Sequence, residues 1–150
     1  MTQAVVAGAL AVAILNLLPA LLGAWRWYRG ESSRAFWVLL RIGQGSALVL
    51  AILAGSLAVA DHYSTDRLFY LYALLPLAVA FVAEQLRVAA AQTILDQRDL
   101  PDAQAVGELP EPEQHAVVAA ILAREMGIMA LSALVVVFLA LRAAGTAHGF

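Results

Sequence analysis

Eight polar or ionisable side chains interrupt otherwise apolar stretches of this 150-residue chain: Asn16, Arg41, Gln44, Glu84, Gln85, Arg87, Arg124 and Glu125. An ion in the middle of a bilayer costs at least about 2.5 kcal/mol, so such residues carry ligand, ion or proton chemistry, or pair with one another. Glu84 and Arg87 are three apart and share a helix face, as do Arg41 and Gln44. Arg124 and Glu125 are adjacent and point about 100° apart, so at most one of them aims at a bundle axis. Three guanidiniums against two carboxylates leave an excess cation. Arginine does not shed its proton, so that charge calls for an anion, a carbonyl or water.

The residue types that are missing exclude other chemistry. The chain has no Cys, which removes thiolate catalysis, disulfide exchange and thiolate metal sites. All nine basic residues are Arg, so no lysine can form a Schiff base. No basic tract suggests nucleic acid, and the net charge is −2. No nucleophile–base pair stands in a recognisable motif, so no catalytic residue, metal site or cofactor is assigned. The three histidines fall at helix ends: His62 and His148 on one side, His115 on the other. No two of them share a depth on facing helices as bis-histidine haem ligation requires.

The elements that must position the polar residues are membrane spans. Hydrophobic residues make up 63% of the chain and charged residues 13%, well outside the globular norm. Four apolar stretches, at about 3–25, 36–60, 68–95 and 115–142, are long enough to cross a bilayer. The fold class is therefore all-α, an integral membrane bundle of four transmembrane helices in one domain. The first stretch lacks the basic flank of a secretory signal and is expected to be retained. Arg26, Arg29 and Arg34 crowd the first connection, whereas the second carries only Arg67. The positive-inside bias then places the first connection in the cytoplasm and both termini outside, in a plasma (cell inner) membrane.

The segment from Asp96 to Gln114 is the one long hydrophilic stretch, with six carboxylates against Arg98. It reads as a solvated cytoplasmic loop, or as a docking surface for a basic partner. Pro101, Pro110 and Pro112 should end the third span and delay the fourth. Pro19 and Pro76 lie inside spans and deprive the carbonyls of Leu15 and Tyr72 of their usual donors. Small residues four apart, including Gly43 and Ala47 on the second span and Ala119, Ala123 and Gly127 on the fourth, suit close helix packing.

At about 1.5 Å per residue, Asn16, Arg41, Gln44, Glu84, Arg87, Arg124 and Glu125 fall at one level in the cytoplasmic half of the membrane. Two readings follow. In one, Glu84–Arg87 and Arg124–Glu125 are structural pairs and Arg41 snorkels to the headgroups. In the other, these seven residues floor a cavity open to the cytoplasm that binds or passes a small anionic or amphipathic ligand. The protein would then be a transporter or channel-like binder, and its partners the lipid bilayer, that ligand, and a second copy or another membrane subunit. Rival functions are a non-catalytic accessory subunit and a membrane enzyme acting on a lipophilic anion. No family is recognised from the sequence, although its size and topology resemble those of the MAPEG glutathione-linked membrane enzymes. It lacks their motif, with Gly45 and Leu48 where that family has Asn and Glu after the second-helix Arg.

Overall fold

The computed structural model describes residues 2–60 and 67–147. Five helices account for nearly all of them: α1 (Thr2–Arg29), α2 (Arg34–Val59), α3 (Leu68–Gln97), the short α4 (Ala103–Gly107) and α5 (Glu111–Ala147). Four of these, all but α4, are long and apolar enough to span a membrane. They form an all-α bundle in which α1 and α3 each pack against both α2 and α5, while α2 and α5 barely touch.

Local chemistry sets the helix ends. Gly30 closes α1 in a left-handed conformation (φ 66°). Its N–H donates to Trp27 O and that of Glu31 to Arg26 O, satisfying carbonyls that the helix end leaves free. Ser33 then caps α2, its hydroxyl accepting from Phe36 N at 3.3 Å. Four residues thus turn the chain back on itself, making α1 and α2 an antiparallel hairpin. At the end of α3, Asp99 takes the same left-handed position (φ 55°), and Leu100 N donates back to Leu95 O at 2.9 Å.

The acidic segment is more ordered than a loop. Asp102 caps α4 through Ala105 N, and α5 begins at Glu111, four residues before the position expected from hydropathy. Pro112 does not delay that helix. It sits in the first turn, where its missing N–H costs nothing. Glu111 and Glu113 in the same turn complement the positive end of the helix dipole. With 37 residues, α5 is about 55 Å long and outruns a hydrocarbon core of about 30 Å.

Two apolar clusters fill the bundle. The one nearer the chain termini joins Ala9, Val12 and Ala13 to Leu50, Phe69, Val136 and Ala140. The other, towards the α1–α2 turn, joins Ala20, Phe36 and Leu40 to Ala83, Met126, Met129 and Ala130. Between them on α1 lies Asn16, which is 1% exposed. Its side-chain amide donates to Val12 O (2.9 Å) in its own helix and to Gly43 O (3.2 Å) in α2. A methyl group on Gly43 would come within 2.8 Å of Asn16 Oδ1 and 3.0 Å of Leu15 O. The Leu15 carbonyl, deprived of its donor by Pro19, therefore turns to the bare face of Gly43. The small residues of α2 that are buried are Gly43, Ala47, Ala51 and Ala54. On α5 the tightly packed small residues run from Ala130 to Ala144, farther along than the spacing of Ala119 and Ala123 implied.

Gly43→Ala should therefore destabilise the bundle by about 1–3 kcal/mol through overpacking. Gly45 has open space around it, so Gly45→Ala should be neutral or stabilising by up to about 1 kcal/mol. Thermal unfolding of both variants in detergent tests this pair, and a larger loss at Gly45 would refute the assigned α1–α2 contact.

Candidate functional site

The charged group is built across the α2–α3 seam. Arg41 of α2 donates through Nη1 to Gln44 Oε1, one turn along, and to Glu84 Oε1 of α3, both at 2.6 Å. The second carboxylate oxygen, Glu84 Oε2, lies 3.4 Å from Arg87 Nε. The Arg87 guanidinium also covers the Trp37 ring, 5.5 Å from its centroid. Glu84 is thus held between two guanidiniums, one from each helix. Helical spacing prepares both halves: Trp37, Arg41 and Gln44 follow one another at four and three residues on α2, as Glu84 and Arg87 do at three on α3.

This cluster lies on the flank of the bundle rather than in its interior. The Arg41 side chain is 52% exposed, Glu84 31% and Arg87 28%. At the same level the axis is filled by Leu40, Ala83, Met126 and Met129. Arg41 does not snorkel away alone; it is spent on Glu84. Glu125 of α5 is half-buried and within Coulombic range of Arg87 and Glu84. Arg124 is exposed and lines a hollow on the other side of α5 with Trp27, Gly127 and Ile128. The anticipated Arg124–Glu125 pair is absent, since neither residue forms a salt bridge among the described residues. Two adjacent positions on a helix face different neighbours.

Asn16 shares the depth but not the site. Its bond to Gly43 puts it at the height of Arg41, two residues away, yet on the α1–α2 seam. Of the seven residues expected to converge, the structure joins Arg41, Gln44, Glu84 and Arg87, keeps Glu125 nearby, and separates Asn16 and Arg124. The seven residues therefore do not together floor the expected cavity open to the cytoplasm; four of them form a lateral patch.

Two contributors escaped the sequence reading. Trp37 is not among the seven expected residues, and Arg34 entered only through the arginine asymmetry of the first connection. With Val38, Arg41 and Ile42 they line a shallow groove on the outer face of α2. The signal was the spacing Arg34, Trp37, Arg41, one residue per turn on a single face. At the opposite end of the bundle Arg142 lies over the Tyr72 ring at 5.9 Å. His115 is 3.9 Å from Glu111, both almost fully exposed; His62 and His148 lie outside the described residues.

No protein-family model matches the chain, and no curated protein or solved structure is detectably similar to it. The site therefore stands on its geometry.

A double-mutant cycle checks that geometry. Arg41→Gln and Glu84→Gln should couple by about 1–2 kcal/mol, between the values for exposed and buried ion pairs. Arg124→Gln and Glu125→Gln should be additive within about 0.5 kcal/mol. Stronger coupling in the second cycle than in the first would contradict the structure.

Proposed function

We propose that this is a small polytopic membrane protein that binds, and passes along its flank, a small anionic or amphipathic ligand. The observation that carries this reading is the arrangement Arg41–Glu84–Arg87 over Trp37 on a partly exposed face within the spans. One carboxylate fixes two guanidiniums and by itself neutralises only one of them, in a setting where charge is expensive. Gln44 adds a neutral donor, and Glu125 limits the excess. Asn16 and Arg124 are left out of the binding set, because Asn16 spends its amide on backbone carbonyls and Arg124 faces elsewhere.

A pore along the axis of one bundle is disfavoured, because apolar side chains fill that axis at the level of the charges. Passage would instead follow the flank or run between associated copies. We assign the protein to a plasma (cell inner) membrane with the Gly30–Ser33 turn in the cytoplasm, on the arginine asymmetry alone. A second reading, an accessory subunit of a larger membrane complex, draws support from the same lateral exposure, since a partner helix bearing an acidic or amide side chain would also cover Arg41.

Titration with dodecyl phosphate in a non-ionic detergent tests the proposal. Arg41→Gln and Arg87→Gln should each weaken binding about fivefold, as expected for one guanidinium near an anionic headgroup. Arg124→Gln should leave it unchanged. Undiminished binding by a folded Arg41→Gln/Arg87→Gln protein would defeat the pocket, and copurification of a stoichiometric membrane subunit would favour the accessory role.

A further inference from the structure

The outer face of α2 at its turn-proximal end carries cations that the ion pairs do not use up. Arg34 starts the helix, and Arg41 lies two turns further on, about 10 Å along the axis. Seven residues bring the chain back to almost the same face. Both border the groove that Trp37, Val38 and Ile42 complete. Arg34 is exposed and forms no salt bridge among the described residues. Arg41 has five N–H donors; its bonds to Gln44 and Glu84 are both made through Nη1, and the residue also borders the groove. Glu84 is shared between the guanidiniums of Arg41 and Arg87, and Arg34 adds a third on the groove side of α2.

We infer that this groove holds the headgroup of one anionic phospholipid, its phosphate between Arg34 and Arg41 and its glycerol against Trp37. The inference rests on the anion-binding reading above and specifies where the ligand comes from. Val38 is 54% exposed and Ile42 49%, and among the described residues only α2 lines the groove. In a bilayer that face meets lipid, so the occupant arrives from the leaflet. Arginine suits it because its planar fork binds phosphate oxygens bidentately. Tryptophan suits the same depth because its indole is amphipathic and favours the headgroup level. Further along the helix, exposed Val49 and Ile52 offer an apolar track for an acyl chain.

Native mass spectrometry of the protein released from vesicles of phosphatidylcholine and phosphatidylglycerol reads this directly. The wild type should retain one phosphatidylglycerol in preference to phosphatidylcholine. Arg34→Gln and Arg41→Gln should each lower that preference about fivefold, and Arg34→Lys should restore most of it. Inorganic phosphate at millimolar concentration should not displace the lipid. Arg34 is exposed and forms no salt bridge among the described residues, so its substitutions are not expected to perturb folding, and monodispersity in detergent verifies that. If Arg34→Gln keeps the full preference while Arg41→Gln still weakens dodecyl phosphate binding, the lipid site is refuted and the broader anion reading survives. If Arg41→Gln alters neither, both fall. Loss on Arg34→Gln with none on Arg41→Gln refutes the two-arginine site, and displacement by inorganic phosphate refutes a leaflet source.

Discussion

Glu84 accepts from Arg41 on one side and faces Arg87 on the other, and the α2–α3 pairing is organised around that carboxylate. In hydrocarbon a lone carboxylate or guanidinium is heavily penalised, whereas a bridged set shares the cost. Sliding α3 by one turn, about 5.4 Å, would pull Glu84 away from Arg41 and Arg87 off Trp37, leaving only the Glu84–Arg87 pair within α3. Apolar side chains alone tolerate such slips far better, because lipid solvates them almost as well as a neighbouring helix does. Three charged residues therefore set a register that the surrounding alanines and leucines leave open.

The opposite seam of α2 is fixed by different means. Against α1 the contact is close-packed and neutral: an amide, a carbonyl freed by proline, and a glycine with no side chain to intervene. Each element answers a need of another. Pro19 removes a donor from Leu15 O, Gly43 lets that carbonyl approach, and Asn16 uses the same opening to reach Gly43 O. Because Gly43 and Arg41 are two residues apart on one helix, the height of the first seam sets the height of the second. The α1–α2 lock thus positions Arg41 opposite Glu84, and α5, packed against both α1 and α3, holds the outer helices around it.

A consequence for function is that the charges are displayed sideways. Sequestering them on the axis would have required large polar cross-sections where Phe36, Leu40, Met126 and Met129 now pack. With the axis apolar and the flank cationic, whatever meets the arginines does so from the membrane or from another protein within it. The Arg87 guanidinium, over the Trp37 ring, gains a second attraction besides the carboxylate, and this restrains it within the patch.

Composition and hydropathy were sufficient for the four spans, because burial of an apolar run of some twenty residues depends on length and residue type alone. The common depth of Asn16, Arg41 and Glu84 was also legible, since helical rise is constant. So were the Glu84–Arg87 and Arg41–Gln44 pairs, which depend only on i to i+3 geometry within one helix. The start of α5 at Glu111 was missed, because hydropathy does not see a polar helical extension that caps and prolines can sustain. Azimuth was the greater gap. Whether Arg41 meets Glu84, whether Asn16 turns to α1 or to the arginines, and that Arg124 and Glu125 part company all depend on how each helix is rotated against its neighbours. That rotation is set by packing at Gly43, Gly23 and Ala130 across three helices, a property of the assembled bundle that no single segment encodes.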